Sequence, residues 1–141
     1  MDPLDFIKTA NSLEGSDEEA DRRSAVSRAY YAVFNHIKQY LKGCGIYIPE
    51  DYTAHIKIAR YLRYSGLSNA KEMGDAVENL RDERWDADYK LGLTGPSKKD
   101  CKLIVLKAQQ TVQSFNSCKR SELINGIKQY QKIESGNLPH S

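Results

Sequence analysis

The sequence predicts an all-α protein, an antiparallel bundle of four to five helices, and three observations carry that prediction. In residues 23–41, RSAVSRAYYAVFNHIKQYL, the side chains Val26, Ala29, Tyr30, Val33, Phe34, Ile37 and Leu41 recur at steps of three and four. That spacing is the stripe of a helix with one face in a core. Further along, Met73, Val77, Leu80, Ala87 and Leu91 repeat it. The third observation is negative: there are only four Pro and no run of alternating β-branched residues, so no sheet is expected. Stripes of this kind, joined by short connections, are buried by packing helices against one another.

Taken in order, a first helix is expected over residues 3–13, with Asp2 as N-cap and Pro3 at the first helical position. Leu4, Phe6, Ile7, Ala10 and Leu13 are available for packing, and Gly15 ends the helix. Ser16 and Glu19 have capping-box spacing, so a second helix should start at Asp17 and run to about Lys42, where Gly43-Cys44-Gly45 supplies a stop. Ile46, Tyr47 and Ile48 make the next connector apolar enough to lie on the bundle. A third helix is expected over residues 51–64, with Ile56, Ala59 and Leu62 inward and Ser65-Gly66 as its break. Ser68 caps a fourth helix over residues 69–91, weakened but not forbidden by Gly74. The segment from Gly92 to Pro96 is a clear break. Ser97 then caps a fifth helix, in which Cys101, Ile104, Val105, Ala108, Val112 and Phe115 again step by three and four. Residues 116–121 read as a turn and residues 122–133 as a short further helix carrying Leu123, Ile124, Ile127 and Tyr130. One helical domain is expected over residues 1–134, with a flexible tail at 135–141.

A chain of 141 residues can bury a core without disulfides or a metal. The net charge of +2 makes no global demand for a nucleic-acid partner, but the charge is unevenly spread. Lys57, Arg60, Arg63 and Lys71 fall in a stretch without acids. Seven acids then follow between Glu72 and Lys90 against Arg81, Arg84 and Lys90, and from Ser97 onward eight Lys or Arg face three acids. The two basic segments either form a binding surface or only keep the protein soluble. Cys44, Cys101 and Cys118 are odd in number and form no C-x-x-C pair, which points to reduced thiols rather than a disulfide frame or zinc site. No metal or cofactor is expected. The start, MDPLDFIKTA, is too polar for a signal peptide, and no apolar run approaches membrane-spanning length. The expectation is a soluble, cytoplasmic protein with no membrane partner.

Arg84 breaks the fourth stripe. It falls on the same face as Leu80 and Ala87, where an aliphatic residue is expected, and a charge on a packing seam needs a partner. Asp88, one turn on, offers a carboxylate within the same helix. The pair is open to two readings: a structural staple in the bundle or at a dimer seam, or part of a site for RNA or another ligand.

The motifs SRAYYAVFNHI and RWDADY, on these two helices, resemble the HEPN superfamily, small helical bundles associated with RNA cleavage, nucleotide binding and toxin–antitoxin or defence systems. The likeness is to small stand-alone HEPN proteins with S-R-A-Y-Y-A-x-F and R-x-x-A-D-Y motifs, and it covers roughly residues 20–115. It implies a homodimer with a groove around Arg84, an RNA or nucleotide ligand, and a small nucleotidyltransferase antitoxin as partner. In catalytic members an Arg is followed roughly four to six residues later by His, and the pair cleaves RNA without a metal by charge stabilisation and acid–base help. Here no Arg is followed by His at that spacing and Asp88 stands beside Tyr89, so a carboxylate replaces the imidazole. A metal-independent endoribonuclease would have to use Arg84, Asp88 and a histidine from elsewhere, His36 or His55. The alternative is a non-catalytic bundle that binds a nucleotide or the nucleotidyltransferase.

By the same resemblance, Arg28, Tyr31 and Asn35 on the second helix line the groove with Arg81 and Tyr89. Without it, Arg28 is equally well explained by an ion pair to the fourth helix. Tyr89 is also a candidate for modification by the partner enzyme. Tyr61 and Tyr64 with Lys57, Arg60 and Arg63 form a second, basic and aromatic candidate for nucleic acid. His140 sits in the tail.

Overall fold

The computed structural model describes residues 1–136. His140 and the tail beyond Gly136 lie outside the described residues. Six helices and no strands are found among those described: α1 (Asp5–Leu13), α2 (Glu19–Gly43), α3 (Thr53–Arg63), α4 (Ser68–Tyr89), α5 (Lys98–Ser117) and α6 (Arg120–Glu134). One core draws side chains from all six, from Ala10 of α1 to Leu123 and Ile127 of α6. The long α2 is its axis, packed on α1, α4 and α5. Its stripe of Val26, Ala29, Tyr30, Val33, Ile37 and Leu41 is almost wholly removed from solvent, as its period requires.

The direction of each pairing follows from which ends meet. Arg23 at the start of α2 reaches Ala87 near the end of α4, and Arg63 at the end of α3 pairs with Asp75 in the first half of α4, so both pairs run antiparallel. By contrast, α2 and α5 run parallel, because Cys101 meets the Arg22 carbonyl while His36 meets Asn116. The chain reverses between α3 and α4 and again between α4 and α5, an even number of turns that restores the direction of α2.

The helix ends show where local signals held and where they were diverted. The Asp2 carboxylate accepts the Leu4 N–H at 2.9 Å, and Ser97 Oγ accepts the Asp100 N–H at 3.0 Å. At the end of α2 the Ile46 N–H reaches the Leu41 carbonyl and the Gly45 N–H the Lys42 carbonyl, the paired bonds of a Schellman stop. The capping box at Ser16 does not form. Ser16 Oγ accepts the Glu18 N–H instead, Glu19 reaches away to the Gly95 N–H at 2.9 Å, and α2 begins two residues later than expected. The fourth helix stops at Tyr89, which leaves Leu91, assigned above to the buried stripe, 70% exposed.

Two glycines are there for close approach. A Cβ on Gly74 would sit 2.9 Å from the Ala59 carbonyl oxygen, so the residue that weakens α4 is what lets α3 lie against it. A Cβ on Gly126 would fall 1.8 Å from the Ser65 carbonyl oxygen. That contact seats α6, a full helix of 15 residues where only a short one was expected, against the end of α3. The three cysteines are unpaired, and no described helix is long and apolar enough to cross a membrane.

Candidate functional site at the α2–α4 face

The period of α4 puts Arg84 in line with Met73, Val77, Leu80 and Ala87, and the helix packs that face on α2. Arg84 is therefore only 8% exposed. Its Nη1 lies 3.5 Å from Asp88 Oδ2, a long contact, and Asp88 is shared, since Ser27 Oγ donates to the same oxygen at 3.2 Å. The Arg84 Nε is buried without a partner. What surrounds the guanidinium is aromatic: its central carbon lies 5.3 Å from the Tyr31 ring centre, 5.8 Å from Tyr89, 5.9 Å from Tyr30 and 6.0 Å from Trp85. Ring faces recover part of the hydration that burial removes from a cation.

Below this cage, Tyr30 bonds to Nδ1 of His55 at 2.5 Å, and the imidazole stacks on Phe34 with ring centres 4.2 Å apart. Burial, then Arg81, Arg84 and Lys38, push the His55 imidazolium down to about 4. Burial also pushes the Tyr30 hydroxyl well above its ordinary value. At neutral pH the phenol is therefore protonated and the imidazole uncharged. Tyr30 donates, Nδ1 accepts, and the ring proton stays on Nε2. A neutral, weakly basic imidazole set in a stack of rings is a packing element before it is a proton carrier.

The outer side of the cage meets solvent. Trp85 and Tyr89 lean on each other at 4.3 Å with their planes 42° apart, and they are 52% and 59% exposed. Arg81, half-buried one turn earlier on α4, adds positive potential, felt at both Tyr30 and His55. Chemically, the face offers two stacking surfaces and one accessible cation, Arg81. Among the described residues no three His, Cys, Asp or Glu side chains are placed to hold a metal.

The fold thus brings Tyr31, Arg81, Arg84, Asp88 and Tyr89 into one neighbourhood, with Asn35 one turn beyond Tyr31 on α2. It takes two other candidates away. His36 faces α5, where Nε2 donates to Asn116 Oδ1 at 2.7 Å and the ring meets the edge of Phe115. Arg28 lies over the Phe6 ring of α1 at 5.3 Å, and no acid of α4 pairs with it among the described residues. The second candidate surface keeps Arg60 and Tyr64 exposed, while its other members are engaged. Lys57 pairs with Glu134, and Arg63 with Asp75 and Glu78 at 2.8 and 2.7 Å, while Tyr61 is buried with its hydroxyl on the Tyr47 carbonyl. Tyr64 stacks on Tyr130 of α6.

Sequence reasoning missed Arg22 and Arg23. Arg23, only 8% exposed, donates to the carbonyls of Ala87 at 3.0 Å and Leu93 at 2.6 Å, capping the end of α4. Arg22 donates from Nε to the Pro96 carbonyl at 2.8 Å and from Nη1 to the carbonyls of Ser16 and Asp17. A signal was present: two adjacent cations follow the acidic first turn of α2, near the end of the dipole that disfavours them. No protein-family model, curated protein or solved structure matches this chain.

Proposed function

We propose that the chain is an HEPN-like, RNA-associated protein of a toxin–antitoxin or defence type system, one that holds single-stranded RNA on the α2–α4 face as a homodimer without cutting it. The observation that carries the reading is the buried Arg84 guanidinium, ringed by four aromatic side chains, with Trp85 and Tyr89 extending from that cage into solvent. A desolvated cation with one long ion-pair contact and an orphaned Nε is an expensive way to fill a core. It gains a purpose if it fixes Asp88, Tyr31 and Tyr89 as a rigid platform. Bases then stack on Trp85 and Tyr89, and backbone phosphate meets Arg81. Cleavage finds less support. His36 is engaged with α5, His55 is neutral with one nitrogen occupied by Tyr30, and the position beside Tyr89 is an acid.

Fluorescence anisotropy with a labelled single-stranded RNA tests this. Trp85→Ala and Tyr89→Ala, both at exposed positions, should each weaken binding about fivefold or more, in line with about 1–3 kcal/mol per stacked base. Arg81→Ala should flatten the dependence of log K on log salt by about 0.7, one phosphate contact on a single strand. The RNA should stay intact throughout. Binding by all three variants as tight as by the parent would remove the site. Cleavage of the RNA that survives repurification but is lost in His55→Gln would replace this reading by the enzymatic one.

A further inference from the structure

On the flank of α4 that faces α5, the loop between Tyr89 and Lys98 leaves a cleft of about 390 Å³. Val26, Ala87, Leu93, Pro96, Leu103 and Ile104 give it an apolar lining, and Leu93 and Leu103 remain mostly exposed there, with Leu106 beside them on α5. The shape is held rather than incidental. Arg22 grips Pro96, Arg23 grips Leu93, and Glu19 accepts the Gly95 N–H, so three side chains of α2 pin the loop that forms one wall. The rim carries acids: Glu83 and Asp86 from α4 and Asp100 from α5. Asp86 is answered by Lys90 at 3.1 Å, whereas Glu83 and Asp100 have no ion-pair partner among the described residues. Burial, then Asp86, Asp100 and Asp82, raise the Glu83 carboxyl above its ordinary value, against a smaller opposing pull from Lys107. Arg23 and Lys90 also line the cleft but are committed, Arg23 to Glu19 and to backbone carbonyls and Lys90 to Asp86, so Glu83 and Asp100 are the carboxylates left without a cation.

We propose that this cleft is a docking site for a basic amphipathic helix of a partner protein, which sets apolar side chains against Leu93, Leu103 and Ile104 and Lys or Arg against Glu83 and Asp100. Apolar lining with an acidic rim is the complement of such a helix, whose anchors recur at i, i+3, i+4 and i+7. A rim of this sign governs approach and register, and the apolar contacts hold the complex. The site is separate from the RNA face and does not depend on it.

The probe is a labelled helix of about 18 residues made only of Leu and Lys, with leucines on one face. It is compared with a scrambled peptide of the same composition and with a Leu and Glu version. The intact protein should bind the first saturably at one site, the scrambled peptide about tenfold more weakly, and the Glu version not at all. Glu83→Gln with Asp100→Asn should weaken binding about tenfold, and Leu103→Asp should do at least as much. All three positions tolerate exchange, since none is buried, and Glu122→Gln on α6 should change nothing. Equal binding of the scrambled peptide, indifference to Leu103→Asp or to loss of the two acids, or an equal effect of Glu122→Gln would reduce the effect to general attraction and overturn the proposal. So would a dimer of the free protein that Leu103→Asp splits, because the cleft would then be covered by a second copy.

Discussion

Tyr30 and Tyr31 each pack against both His55 and Arg84, and the Arg84 charge reaches the imidazole. Burial, reinforced by Arg81, Arg84 and Lys38, keeps His55 neutral and so ties the stability of the fold to pH. The imidazole titrates at about 4 when folded, against an ordinary 6.5, so below 6.5 the unfolded chain binds the proton that the folded chain refuses. Stability from this group is complete above pH 6.5 and falls steadily from there towards pH 4. Urea unfolding of the parent between pH 7 and pH 5 should show that fall, whereas His55→Phe, which keeps the stack on Phe34, should be nearly flat over the same range. Equal slopes would mean that the imidazole is freely hydrated. The position of Arg84 was legible in the sequence because a charge on an apolar stripe stands out, and its link to Asp88 followed from helical spacing. The aromatic surround was not legible: Tyr30 and Tyr31 lie on another helix, and spacing along one helix carries no information about the ring opposite.

Among the elements, α4 depends most on help from outside. It has no side-chain N-cap and no basic residue in its last turn, and its C-terminal carbonyls are met by Arg23 of α2. Hydrogen bonds from a charged donor are worth about 1.5–3 kcal/mol each, and two of the four contacts here are short. Arg23→Ala should therefore lower the unfolding free energy by about 2–4 kcal/mol, and Arg23→Lys should restore little of it because an ammonium lacks the planar fork. Hydrogen exchange at residues 88–97 should quicken in the same variants. A midpoint unmoved by Arg23→Ala would mean that the loop holds itself. The diverted capping box belongs to the same arrangement. Glu19 leaves its local task and accepts the Gly95 N–H of the α4–α5 loop instead.

For the molecule as a whole, Trp85, Tyr89 and Leu91 are large apolar side chains left exposed at the end of α4 and just beyond it. If the groove works as a homodimer, as the proposed function holds, Tm should rise with protein concentration by mass action, and sedimentation should show a dimer at tens of micromolar. A Tm independent of concentration, with a monomer mass throughout, would sink the shared groove and leave any RNA site to single copies. The sequence by itself determined the all-α class, the turns, most core positions and the anomaly at Arg84, because the 3.6-residue period and the capping residues are local properties of the chain. Only the tertiary structure decided which charges are free. Lys57 and Arg63 of the basic stretch are answered by Glu134, Asp75 and Glu78, His36 is turned towards α5, and His55 lies close to Arg84. The physical reason is that burial and pairing depend on what the neighbouring helix presents. Crossing, direction and close contacts such as that of Gly126 on Ser65 fix that geometry, and no single helix encodes it.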